Sequence, residues 1–156
     1  MNKFKFKLET VLKVKTRVED LRKIELREAE FRREKARLEL SRCQAEVEVN
    51  IELYREKFRQ RINPEEANSY HQYLKWLNLQ VDLALLKLEE CEREVAVRRE
   101  RLIEASKEKK ILEKLKEKAY QEYQAEQLNM EIKFLDELGT GRYIRDQVEN
   151  REVQER

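Results

Sequence analysis

His71 is the only histidine in the chain, and Cys43 and Cys91 are its only cysteines. These are the residue types that most often act as nucleophile, proton carrier or soft-metal ligand. Here no two of them stand at the spacing of a metal site, a redox pair or a disulfide framework. With two glycines in all there is no phosphate-cradling loop, and no Ser/His/Asp set can be assembled. Carboxylates abound, but on a solvated helix face nothing shifts their pKa or excludes water. His71, one turn into a predicted helix, reads as a surface or partner-contact residue. Both cysteines fall on apolar stripes and read as small buried hydrophobes. The residues imply no catalytic group, no metal and no cofactor. What they offer is contact, so the chain reads as a non-enzyme that works by touching other proteins.

The elements that would present such contacts are legible in the periodicity. Of 156 residues, 44% are charged and only one is proline, with Glu, Lys, Arg, Leu and Ala dominant. That composition signals long helix. From Ala67 to Tyr123 a seven-residue register puts apolar residues at 14 of 17 seam positions, broken by Arg98, Lys109 and Lys116. Such a repeat keeps one narrow seam facing a partner helix over many turns. Disordered chains lack that ordered apolar set.

Asn63 can cap a helix, Pro64 suits its first turn and Glu66 follows three residues after the cap. Pro64 also disfavours helical geometry at Asn63, so the preceding helix should end near Arg61 or Ile62. A connection this short makes the two helices antiparallel neighbours. The predicted fold is all-α, a long antiparallel two-helix coiled-coil hairpin. Its first helix spans about 8–62 and its second about 64–138, on the order of 80 and 110 Å long at a rise of about 1.5 Å per residue. Residues 1–141 form the single hairpin. Gly139-Thr140-Gly141 offers a helix stop, and 142–156, with four charges of each sign, form a polar C-terminal tail.

The first arm is less regular. Ala36, Leu40, Cys43, Val47, Ile51, Tyr54, Phe58 and Ile62 follow an eleven-residue period, which extends backwards through Val14, Val18 and Leu21 but meets Glu25 and Arg32 around Ala29. That period relaxes a left-handed supercoil, so the arms should coil shallowly, with a weak stretch near 25–35.

Two surfaces stand out. Trp76, Leu79, Leu83 and Leu86 form a second stripe off the seam, an exposed apolar face suited to a second hairpin or to a different protein. Lys3, Lys5, Lys7, Lys13 and Lys15 would lie beside Lys107, Lys109, Lys110, Lys114 and Lys116 in the hairpin. Acidic protein surfaces and anionic lipid are targets for such charge. Nucleic acid is disfavoured, because no reading motif or base-stacking platform accompanies it. The start, MNKFKFKLET, does not read as a signal peptide, and no apolar run approaches the roughly 20 residues of a membrane span. A cytosolic protein is expected.

The opening FKFKLETVLKVK, the SYHQYLKWL segment after the turn, EKKILEKLKEK and the closing LDEL before Arg142 together resemble the flagellar type III export FliJ family. The resemblance implies a stalk-like hairpin in the bacterial flagellar protein export apparatus, at the cytoplasmic face of the cell membrane and held there through partners. It implies that the free-ended basic part, 1–24 with 103–138, enters the hexameric export ATPase FliI. It also implies a patch near the tip for the cytoplasmic linker of the export-gate protein FlhA, at the matching positions Val47, Ile51, Tyr54, Phe58, Tyr73 and Leu77. Gln80 and Ala84 match in position but depart in residue type. Export chaperones are further implied partners. Val47, Ile51, Tyr54 and Phe58 also belong to the stripe assigned to the seam, and cannot be fully buried there while binding a partner. The rival readings are a dimeric coiled-coil scaffold joined through Trp76, Leu79, Leu83 and Leu86, or the equivalent stalk of an injectisome.

Overall fold

The computed structural model describes residues 3–154, with side chains through Glu149. Two helices, α1 (Glu9–Arg59, 51 residues) and α2 (Pro64–Gln154, 91 residues), pack against each other, with no strand among the described residues. The fold is all-α, a helical hairpin.

The turn is built by its own residues. Lys57 and Arg59 place positive charge in the last turn of α1, where the helix dipole favours it. The Gln60 amide donates to the Lys57 carbonyl at 3.1 Å, tightening the end. Arg61 then adopts φ 62°, the left-handed conformation that usually falls to glycine and reverses the chain here. Asn63 caps α2: its Oδ1 accepts from the Glu65 amide at 3.3 Å and its carbonyl from the Ala67 amide at 3.0 Å. Pro64 occupies the first helical position.

The chain divides into two units, one spanning Lys15–Glu108 and the other combining residues up to Val14 with those from Lys109 onward. Within Lys15–Glu108, antiparallel pairing about the turn is explicit. Lys15 meets Glu108 (2.5 Å), Ser106 donates to Glu19 (2.8 Å), Arg98 meets Glu25 (3.1 Å), Arg32 meets Glu94 (2.8 Å), and the Tyr54 and Tyr70 rings lie 5.8 Å apart. The core is a thin line of mostly small side chains. Ala29, Ala36, Cys43, Ala84 and Ala105 are buried with Val95, and Leu77 is the largest fully buried residue at 1% exposure. Alanines on both helices let the backbones approach closely, so stability is spread along the seam rather than held in one cluster.

In the other unit, α1 begins after a lead-in that is pinned rather than loose. Phe4 packs edge-on against Tyr120 (centroids 5.2 Å) and against Tyr123 (5.6 Å), and Glu9 pairs with Lys116 at 2.8 Å.

Three expectations are corrected. The seam face of α1 is not an eleven-residue series. Lys15, Glu19, Arg22, Leu26, Ala29, Arg33, Ala36, Leu40, Cys43, Val47, Asn50 and Tyr54 are all buried or partly exposed and alternate steps of four and three as a heptad does, with Thr16, Val18, Glu25, Glu30, Glu46 and Ile51 partly exposed beside them. Val14 and Leu21, assigned to the seam from the eleven-residue period, are 50% and 51% exposed. Polar residues hold seam positions between 15 and 33, and the apolar series alone hides the register.

The second correction concerns the end of α2. It does not stop at Gly139-Thr140-Gly141 but continues to Gln154, taking in most of the expected polar tail. A glycine ends a helix when it turns left-handed, and neither glycine has positive φ. Two helical glycines cost about 1 kcal/mol each relative to alanine, and the strong helix formers around them carry the helix through. The Thr140 hydroxyl donates back to the Asp136 carbonyl. Residues 155–156 of that tail lie outside the described residues. α1 likewise ends at Arg59, three residues before the expected limit.

Candidate functional site

Near the turn, Tyr54, Phe58 and Tyr70 form an aromatic cluster, with ring centroids 6.1 Å apart for Tyr54–Phe58. The Lys57 ammonium lies 5.4 Å from the Tyr70 centroid, and hydrogen bonding to Tyr70, then that ring's charge interaction, raises its pKa from the ordinary value. A shallow groove runs over Tyr54, Arg55, Phe58 and Arg59. Of the positions carried over by resemblance, Val47, Ile51 and Tyr54 are partly exposed. Phe58 (64%) and Tyr73 (44%) are open to solvent, while Leu77, at 1%, is sealed in the seam. Leu77 can support this face from beneath but cannot touch a partner.

Next to it, Tyr73 stacks on Trp76 (5.9 Å, 16°). Trp76, Leu79 and Leu83 are each 52% exposed and Leu86 59%. Steps of three, four and three along an α-helix put these four on one face, opposite the seam. The patch is a second, outward seam with no partner among the described residues.

The ten lysines are not equivalent. Lys15 pairs with Glu108, Lys116 with Glu9 and Lys109 with Glu113 (3.7 Å), and all three are only partly exposed. Lys3, Lys5, Lys7, Lys13, Lys107, Lys110 and Lys114 are exposed. In the unit containing the chain ends, a groove lined by Phe4, Lys5, Phe6, Glu9 and Lys116 joins aromatic and cationic groups.

Sequence reasoning missed a larger feature in that unit. From Leu128 to Glu149 every residue but Gly141 is exposed. Nine of these are large apolar side chains: Leu128, Met130, Ile132, Phe134, Leu135, Leu138, Tyr143, Ile144 and Val148. They lie on more than one face, a pattern that belongs to a helix surrounded by partners. The expected helix stop hid this, because it ended the pattern at Leu138. The Phe4–Tyr120–Tyr123 cluster was missed for a different reason: aromatics far apart in sequence carry no shared periodic signal.

None of these surfaces is enclosed. Among the described residues no group of three or more His, Cys, Asp or Glu could hold a metal, and no helix is long and apolar enough to cross a membrane. Burial pushes the Cys43 thiol pKa up, which keeps it protonated and unreactive. The arrangement is built for contact.

No curated protein and no solved structure matches the chain. A protein-family model described as "Flagellar FliJ protein" matches residues 4–148, nearly the whole length. The chain therefore belongs to the FliJ family, structural components of the flagellar protein export machinery rather than enzymes.

Proposed function

We propose that this protein is the stalk of the export ATPase complex, with its chain-end unit held inside the hexameric ring of FliI and its turn region contacting the cytoplasmic linker of the export gate FlhA. The observation that carries the first half is the bare helix from Leu128 to Val148. Nine exposed apolar side chains on several faces of a single helix need a surrounding partner. A ring supplies contacts on all sides, which a flat docking surface does not. The exposed lysines at 3, 5, 7, 13, 107, 110 and 114 then steer the approach to an acidic ring surface, a contribution to rate more than to affinity.

The turn region supports the second half. Phe58 exposes aromatic area in one groove with cationic Arg55 and Arg59, and Tyr73 exposes more on α2, a composition suited to a peptide linker that offers apolar anchors between acidic residues. Val47, Ile51 and Tyr54 contribute their exposed edges. Attachment at the cytoplasmic face of the membrane follows from these partners. Escort of export chaperones fits the outward stripe at Trp76, Leu79, Leu83 and Leu86, which takes one amphipathic helix. The second reading, a scaffold dimer through the same stripe, rests on its exposure alone.

Co-fractionation with assembled FliI hexamers tests the ring contact. One copy retained per ring supports the stalk; elution apart from intact hexamers refutes it. For the gate, Tyr54→Ala with Phe58→Ala should weaken linker binding with helicity unchanged. Unaltered binding by that folded variant removes this patch from the proposal.

A further inference from the structure

The seam within Lys15–Glu108 changes character along its length. Between Ala36 and Tyr54 on α1, facing Tyr70 to Leu88 on α2, its positions are apolar except Asn50. Both arms repeat every seven residues there, so apolar packing alone discriminates poorly between the observed stagger and one displaced by a heptad. Between Lys15 and Arg33 the α1 side of the seam is mixed instead, with Lys15, Glu19, Arg22 and Arg33 set around Leu26 and Ala29, while the facing stretch of α2 keeps Cys91, Val95, Leu102 and Ala105. Pairs that cross between the helices in that stretch include Lys15–Glu108, Glu19–Ser106, Glu25–Arg98, Glu30–Arg99 and Arg32–Glu94.

We propose that these cross-helix pairs are a register lock, selecting one antiparallel stagger for a seam whose apolar half accepts several. Displacing α2 by seven residues in one direction sets Arg32 against Lys87, Lys15 against Arg101 and Glu94 against Glu25. The opposite displacement sets Arg32 against both Arg98 and Arg101, and Glu94 against Glu39. Each slip exchanges complementary pairs for like charges.

The lock acts by discrimination more than by stability. Exposed ion pairs each contribute little, and the layer carries its own penalties. Glu19 is only 8% exposed, and the Arg33 Nε is buried with no hydrogen-bond partner among the described residues. Apolar residues at those positions would pack a tighter seam. Polar seam positions kept at some loss of stability are a known way for coiled coils to fix register.

The test measures stagger directly, in full-length protein with Cys43→Ala and Cys91→Ala. Spin labels attached through Gln44→Cys and Glu100→Cys sit on different helices, well offset along the axis. A heptad slip changes their axial separation by about 10 Å. The unaltered layer should give one distance. Removing the lock by Lys15→Gln, Glu19→Leu, Glu25→Leu, Glu30→Gln, Arg32→Gln and Arg98→Leu should retain helicity and add a second distance shifted by about that amount. A single unshifted distance in the helical variant overturns the proposal. Should that variant not fold, Arg32→Glu with Glu25→Leu decides. In the slipped stagger the new carboxylate meets Arg98 and Arg101, so a shifted population supports the lock and a single native distance refutes it.

Discussion

Two stretches of α2 have similar composition and opposite fates. From Ala67 to Tyr123 the apolar residues at seam positions are buried or half-buried; from Leu128 to Val148 equally large ones stand exposed. The helix runs unbroken through both, and in the exposed stretch helix propensity carries it past the two glycines. A long helix therefore records two different things in one pattern. Where the apolar residues keep one narrow face they name a partner already in the chain, and where they spread over several faces they name a partner still to come.

The sharpest way to break this comparison is substitution of one residue of each kind. Leu77→Ala removes the largest fully buried side chain and should destabilise the hairpin by about 3 kcal/mol, read as a shift in urea midpoint. Phe134→Ser with Leu135→Ser, both more than 60% exposed, should leave that midpoint within about 0.5 kcal/mol while lowering retention by FliI rings at least tenfold. If the exposed pair proves the more destabilising, the bare helix has a partner inside the chain and the comparison fails.

A smaller effect sharpens the account of the turn. Arg61 holds a left-handed φ of 62° that glycine adopts freely, so Arg61→Gly should stabilise by up to about 1 kcal/mol. Chemical denaturation at neutral pH reads it. A loss of stability would mean that the Arg61 side chain contributes more than its backbone strain removes.

The smallest effect is in the polar seam. Hydrogen bonds from Arg22 and then Arg98 hold the Glu25 pKa below its ordinary value of 4.5. A carboxylate depressed in the folded state adds stability above its unfolded pKa, and that stability is lost as pH falls through the folded value. Urea midpoints should therefore fall below about pH 4.5, and Glu25→Gln should flatten part of that fall. An unchanged profile in Glu25→Gln would place the acid sensitivity elsewhere.

How much of this was legible depended on what filled the seam. α2 was readable because Leu74, Leu77, Val81, Ala84, Leu88 and Val95 follow the heptad without interruption. α1 was not, because Glu19, Arg22 and Arg33 occupy positions where a pattern of apolar residues looks for apolar ones. Their long side chains can lay aliphatic stems on the seam while the charged heads reach partners. Asn63 and Pro64 announced the turn through capping chemistry alone. Gly139 and Gly141 misled, since glycine permits a helix stop without requiring one. At the candidate sites, Phe58 and Tyr73 are exposed while Leu77 is not; a carried-over pattern gives positions but not solvent access.

The proposed stalk role of the chain-end unit rests on its bare helix entering the FliI ring. The most direct measurement is ATP hydrolysis by purified FliI as this protein is titrated in. Stimulation saturating near one chain per hexamer, and lost with Phe134→Ser and Leu135→Ser, is the result expected. No stimulation of demonstrably assembled hexamers, or stimulation untouched by those substitutions, would contradict it.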